Sequence, residues 1–147
     1  MLSVGADAPA FSVVNHRGER VTLDDVLTRP TLLWWYPKAD TPGCTIEGCA
    51  FRDKIAEIEA IGNIYGVSFD EPAANADFAE KFAFPFPLLC DVTKEMSIAY
   101  GAAKNDGAPY PARVSYIIGT DGKVLWAEPA SDIEAHVTAA VQRMKDI

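Results

Sequence analysis

The stretch that most constrains this 147-residue chain is the unbroken apolar run Thr31-Leu32-Leu33-Trp34-Trp35-Tyr36, which stops at Pro37. Six residues with no polar alternation describe a strand covered on both faces, not one half-open to water. The run is strand-sized and far short of the roughly 20 apolar residues that cross a bilayer. Beyond Pro42 the period changes. Phe51, Ile55, Ile58 and Gly62 recur at three- and four-residue steps, with Arg52, Asp53, Lys54, Glu57 and Glu59 on the opposite face, as in an amphipathic helix.

The same alternation continues along the chain. Phe11 to Asn15 and Arg20 to Leu23 flank His16-Arg17-Gly18-Glu19 as a hairpin. Strands are predicted at Asn63–Phe69 and Phe86–Cys90, and helices at Ala73–Phe82 and from about Thr93 to Tyr100. Arg113–Ile118 and Lys123–Ala127 alternate around Gly119-Thr120-Asp121-Gly122, a second hairpin. Ser131 is the expected cap of a last helix that turns Ile133, Val137, Ala140, Val141 and Met144 toward the core. The order β-β-β-α-β-α-β-α-β-β-α predicts an α/β chain with a central mixed sheet flanked by helices. That is the plan of a thioredoxin-like fold with an N-terminal β-hairpin extension, expected as one domain over residues 1–147.

Charge and cysteine usage narrow the function. A net charge of −8 without a basic cluster disfavours nucleic acid and anionic membrane surfaces as partners. The segment Met1–Pro9 has neither a basic start nor an apolar core of a secretory signal, so a cytoplasmic protein is expected. Three cysteines do not make a disulfide scaffold, and in a reducing compartment such cysteines serve catalysis or metal binding more often than structure. The Cys44–Cys49 spacing fits no common zinc pattern, and the two histidines supply no paired ligands.

Cys44 and Cys49 lie at the start of the helix after the central strand. Thr41 is a suitable N-cap and Pro42 a suitable first helical residue, which puts Cys44 at the third helical position. Backbone N–H groups without helical partners and the positive helix end favour a thiolate there. Cys44 precedes Phe51 by seven residues and Ile55 by eleven, so its sulfur shares their core-facing stripe and sits at the floor of a sheltered pocket. Cys49 lies about 7.5 Å further along the axis and roughly 140° around it. A disulfide needs Cα atoms within about 7 Å, so the two cannot bond while the helix is intact. Gly43 and Gly48, each worth about 1 kcal/mol less helix propensity than alanine, are expected to make unwinding easier.

Pro37, Thr41 and Cys44 stand at the spacing P-x-x-x-T-x-x-C, with Cys49 in the same helix and Arg113 at a late strand start. In these residues, and in Ala50-Phe51-Arg52-Asp53, Tyr65–Asp70 and Arg113–Ile118, the chain resembles the bacterioferritin-comigratory-protein (PrxQ) subgroup of the peroxiredoxins, from about Val4 to the last helix. The resemblance implies a thiol-dependent peroxidase acting on hydrogen peroxide and organic hydroperoxides without cofactor or metal. Cys44 would be the peroxidatic cysteine, and Thr41 would hydrogen-bond peroxide and thiolate. Pro37 would shield the pocket, Arg113 would stabilise thiolate and polarised peroxide, and Cys49 would resolve the Cys44 sulfenic acid as an intramolecular disulfide. Thioredoxin or a glutaredoxin-type dithiol donor would recycle it, and a monomer suffices. A redox sensor using the same Cys44 is the alternative. Glu47, one turn past Cys44, either fixes the Arg113 guanidinium or is a surface carboxylate.

Thiol acidity alone does not account for fast peroxide reduction. Lowering a thiol pKa from about 8.5 to about 6 raises the thiolate fraction at pH 7 about 30-fold. Nucleophilicity falls roughly 13-fold in return at a Brønsted slope of about 0.45, leaving a gain of about twofold. Most of the acceleration therefore requires donors aimed at the O–O bond and a peroxide held in line with the sulfur. Elsewhere, Cys90 reads as a buried or half-buried structural thiol, His16 and His136 as solvated, Trp34, Trp35 and Tyr36 as core, and Phe82, Phe84 and Phe86 as an aromatic loop packed on the sheet.

Overall fold

The computed structural model describes all residues from Met1 to Ile147. Its centre is a seven-stranded sheet in the order β2-β1-β5-β4-β3-β6-β7. The run read as a doubly covered strand is β3 (Thr31–Trp35), and every one of its residues is buried. It pairs in parallel with β4 (Asn63–Ser68), which pairs in parallel with β5 (Leu88–Cys90). On its other side β3 runs antiparallel to β6 (Val114–Ile118), and the hairpin partner β7 (Val124–Pro129) closes that edge. The N-terminal hairpin of β1 (Ser12–Asn15) and β2 (Arg20–Thr22) adds antiparallel to β5 at the opposite edge. The sheet is thus mixed, and the thioredoxin-like architecture expected from the sequence is borne out.

Alternate residues of β3 feed two cores. Leu32, Trp34 and Tyr36 face α2 (Pro42–Asp53), α3 (Ile55–Glu59), α4 (Pro72–Lys81) and α6 (Ile133–Lys145) through Cys44, Phe51, Ile58, Phe78, Val137 and Met144. Leu33 and Trp35 face the layer with α1 (Leu23–Val26) and α5 (Glu95–Ala99) through Val26, Met96, Tyr100 and Tyr116. Burying both faces of one strand in this way removes about 25 cal/mol of unfavourable hydration per Å² of apolar surface, the main favourable term in folding.

Local details depart from the sequence reading in four places. The helix after Pro42 is two helices, broken at Lys54, whose amide reaches back to Phe51 O at 3.0 Å instead of continuing the regular ladder. Helix α1 was not expected, although Thr22 and Asp25 form a reciprocal capping box around its start. The cap of α6 is Asp132, not Ser131, and its carboxylate accepts the Ala135 N–H at 3.1 Å. Helix α5 begins at Glu95, after Lys94 in the left-handed region (φ 69°), and buried Asp91 accepts the Met96 and Ser97 N–H groups at 3.3 and 2.7 Å.

Candidate active site

The loop between β3 and α2 carries the candidate nucleophile to the C-terminal end of the sheet. Its path is held from outside. The Asp70 carboxylate, just past β4, accepts the Ala39 N–H at 2.8 Å, and Lys81 at the end of α4 pairs with Asp40 at 3.0 Å. Asp40 takes a positive φ of 58°, one residue before Thr41 opens the helix. Thr41 has the extended backbone of an N-cap (φ −101°, ψ 157°) and Pro42 follows it, so Cys44 is the third helical residue as expected.

The Thr41 hydroxyl does not cap the helix. It donates to the Lys38 carbonyl at 2.8 Å, a loop acceptor closer to hand than the first-turn amides. The N–H groups of that turn are therefore not occupied by the side chain that usually takes one of them. Toward an incoming group, Thr41 Oγ1 offers lone pairs, its proton being committed to Lys38. Pro37 is half-buried at the end of β3, beside this loop.

Cys44 is fully buried, with its sulfur in the core stripe that also contains Phe51. Arg113, the residue before β6, reaches it from 69 positions away: Nη2 donates to the sulfur at 3.6 Å, and Nη1 donates to Glu47 Oε1 at 2.9 Å. Glu47 is fully buried, which decides the question left open by the sequence in favour of a carboxylate fixing the guanidinium. One planar fork thus spans a thiol and a carboxylate placed three residues apart on one helix face, a geometry lysine does not reproduce. Burial pushes the Glu47 carboxyl up to about 7, although its hydrogen bond and charge contact with Arg113 pull the other way. The Arg113 guanidinium is held above its ordinary value by Glu47 and Cys44, against the effect of its own burial.

Cys49 is half-buried on the same intact helix, and all three cysteines are free thiols. The glycines beside the pair have a different role from the one expected. A Cβ at Gly48 would stand 2.4 Å from Phe84 Cζ, and one at Gly43 would stand 2.8 Å from Arg113 Nη2. Each glycine permits a close approach, so low helix propensity is a secondary consequence. The aromatic loop packs as expected: Phe84 stacks on Phe86 at 5.1 Å, and Arg52 Nη1 ties the Phe82 carbonyl to α2 at 2.7 Å.

The two histidines correct the sequence reading. His16 is half-buried and its Nδ1 accepts the Leu88 N–H at 3.0 Å, so the hairpin turn is fastened to β5. His136 is buried, with Nε2 2.8 Å from Ser115 Oγ and 4.0 Å from Glu47 Oε2. Its position was recoverable, because residue 136 falls three after Ile133 and four before Ala140 on the buried stripe of α6. Ser115 and Asp70 carried no comparable signal. Cys90 is buried as expected, with Asn75 Nδ2 3.3 Å from its sulfur, and burial pushes its thiol up.

A covered strand, a helix opened by Thr41-Pro42 with its first turn left uncapped, and an arginine fork on a buried thiol together are the arrangement of a thioredoxin-like thiol peroxidase. The chain belongs to the AhpC/TSA family, whose model matches residues 4–127. Within that family it is a peroxiredoxin of the Bcp/PrxQ kind. It is 34% identical to a putative peroxiredoxin bcp of Coxiella burnetii, over 97% of this chain and 99% of that protein. The crystal structure of peroxidoxin BcpB from Mycobacterium tuberculosis superposes with a TM-score of 0.92 at 30% identity, covering 100% of this chain and 99% of the other. The bacterioferritin comigratory protein of Xanthomonas campestris, whose trapped intermediate and ligand complexes bear on alkyl peroxide reduction, gives a TM-score of 0.85 at 25% identity over 92% of this chain and 90% of its own.

Proposed function

We propose that this peroxiredoxin reduces hydrogen peroxide and organic hydroperoxides with Cys44 as nucleophile and Cys49 as resolving thiol. The observation that carries the reading is the Arg113 fork, which touches the Cys44 sulfur and the buried Glu47 together. A hydroperoxide enters past Pro37, and its O–H is accepted by the Thr41 hydroxyl oxygen. The thiolate attacks the nearer oxygen, the O–O bond breaks, and the electron pair leaves on the distal oxygen beside Arg113 and the first-turn N–H groups. The distal oxygen takes up a proton to leave as alcohol or water, and Cys44 becomes a sulfenic acid. Cys49 then displaces water from that sulfenic acid, forming the Cys44–Cys49 disulfide after the first turns of α2 unwind.

A dithiol donor of the thioredoxin or glutaredoxin class reduces the disulfide by exchange. One domain of residues 1–147, working as a monomer in the cytoplasm, is sufficient, since both cysteines belong to one helix. No helix is long and apolar enough to cross a membrane. The support for alkyl substrates is the likeness to the Xanthomonas protein. The test is peroxide consumption with thioredoxin, thioredoxin reductase and NADPH, beside a dithiothreitol control. Turnover is expected with both donors and is expected to vanish in Cys44→Ser. Retention of more than a few per cent of activity in that variant would assign the chemistry to another residue.

A further inference from the structure

The Arg113 guanidinium lies in a seat whose walls come from α2 and α6. Nη1 donates to Glu47 Oε1 at 2.9 Å and Nη2 to the Cys44 sulfur at 3.6 Å, so two contacts along one face of α2 fix the plane of the fork. The residue before Cys44 is Gly43, half-buried in the first turn of that helix. A Cβ at Gly43 would stand 2.8 Å from Arg113 Nη2, and 3.5 Å from both Arg113 Cζ and Ile133 Cδ1. Ile133, the first residue of α6, is itself half-buried. Two helices and the guanidinium thus meet at one point beside the sulfur, and glycine leaves that point empty.

The backbone does not ask for glycine here. Gly43 lies inside α2 and has no positive φ, so an L side chain fits its conformation. Within a helix, glycine is weaker than alanine. What remains is the close approach, and the crowding is one-sided. Non-bonded contact is comfortable from about 3.5 Å, so Ile133 would tolerate a methyl at position 43, whereas Nη2 would have to retreat by about 0.7 Å. The fork has little freedom to do so. Glu47 Oε2 has no hydrogen-bond partner, and the side chain has no exposed surface. Releasing Oε1 as well would strand the whole buried carboxyl group, which is costly. The displacement therefore falls on Nη2 and lengthens its contact with the sulfur beyond 3.6 Å.

We propose that Gly43 is a positioning residue for peroxide reduction: its missing side chain lets Arg113 Nη2 stand against the Cys44 sulfur, where it meets the oxygen that departs as the O–O bond breaks. This role rests on the peroxidase reading of the same site. Gly43 touches none of the reacting atoms and acts only through the guanidinium. The thiolate still gives its electron pair to the nearer oxygen, and the O–O pair still leaves on the distal oxygen, which takes up a proton. A methyl at position 43 changes how well Arg113 is aimed at that developing charge. Misplacing a catalytic group by about 1 Å costs about 100-fold in rate, so a shift of this size is felt.

The test is a double-mutant cycle on the reduced full-length protein, comparing the unaltered chain, Gly43→Ala, Arg113→Ala and the two together. Stopped-flow rates of hydrogen peroxide attack are read at alkaline pH, where thiol ionisation does not limit them. Gly43→Ala is expected to slow attack by about 10- to 100-fold. Its urea midpoint is expected to hold or rise, because alanine favours a helix. In the Arg113→Ala background the same substitution is expected to change the rate by less than about twofold, since no guanidinium is left to displace. Equal losses in both backgrounds, or an unchanged rate in Gly43→Ala alone, would overturn the proposal. ¹⁵N NMR of the Arg113 side chain supplies a readout apart from activity. Separate Nη signals are expected in the unaltered protein, held apart by two different partners, and they are expected to shift or merge in Gly43→Ala. Unmoved signals would also overturn the proposal. If the alanine variant does not fold, Gly43→Ser puts a Cβ at the same point and carries the same cycle. Absence of any peroxide attack in the unaltered protein, with the Arg113 signals still moved by Gly43→Ala, would remove the peroxidase reading and leave the seat standing.

Discussion

At the scale of the residue, Arg113 carries the most weight. Its fork contacts a sulfur and a carboxylate that lie 69 and 66 positions away in the chain, so it couples Cys44 to the buried acid behind it. A donor that stabilises developing charge on the leaving oxygen is worth about 10²- to 10³-fold in rate. Arg113→Ala is therefore expected to slow peroxide attack by about that factor even at alkaline pH, where thiol ionisation no longer limits the rate. Arg113→Lys is expected to recover little of it, because an ammonium cannot serve both partners from one plane. Stopped-flow rates across pH decide the matter. Recovery of the full rate by Arg113→Ala once its thiol is ionised would reduce Arg113 to a device for thiolate formation.

Helix α2 is the element on which the proposed cycle turns. Its first two turns present Cys44 for attack only when folded, and bring Cys49 to Cys44 only when unwound. Oxidised protein is thus expected to show faster amide exchange between Gly43 and Phe51 than reduced protein, with no covalent dimer on non-reducing gels. Cys49→Ser is expected to consume one equivalent of peroxide and then stall as an overoxidisable sulfenic acid. Unchanged exchange in the oxidised helix, or a peptide map linking Cys44 to Cys90, would remove the helix switch. Gly48→Ala bears on the folded form of the same element. An added methyl would press into the Phe84 ring, which is held in its own aromatic stack. It is expected to lower stability by about 1–3 kcal/mol in urea denaturation and to hasten unwinding. Neutral or increased stability would mean that helix propensity outweighs the clash.

For the whole molecule, the two buried titrating groups beside the site oppose each other. The Glu47 carboxyl is raised from 4.5 to about 7, so the folded state holds a proton that the unfolded chain releases. Its contribution to stability is full at low pH and is lost as the pH rises through about 7. The His136 imidazole is lowered from 6.5 to about 4, so its contribution is full above 6.5 and is lost as the pH falls through about 4. Between about 4.5 and 6.5 the two slopes offset. His136→Phe is expected to expose the Glu47 slope, with stability falling as pH rises, and Glu47→Gln the His136 slope, with stability rising. Each change is of order 2–3 kcal/mol over its window. His16, lowered chiefly by burial, adds to the rising slope. Urea denaturation at a series of pH values reads the signs, and equal slopes in both variants would contradict them.

What the sequence determined by itself was what short-range rules control. Six apolar residues required a doubly covered β3, and Thr41-Pro42 set where α2 begins. The helical period put Cys44 on its inner face, while Cys49 fell too far around to bond. These follow from steric and hydrogen-bonding preferences that act within a turn or two of chain. The Thr22–Asp25 capping box that starts α1 is a local signal of the same kind. Tertiary structure alone decided the rest. Glu47 had equal claims to the surface and the interior until Arg113, delivered by the antiparallel pairing of β6 with β3, came to lie against it. His136 became a buried partner of Ser115 because α6 packs over the same end of the sheet, and Gly48 became a contact surface because the Phe84 loop closes on α2. Each of these outcomes is an encounter between segments more than twenty residues apart. Periodicity can mark which face of a segment turns inward, but it holds no information about which distant side chain will meet it there.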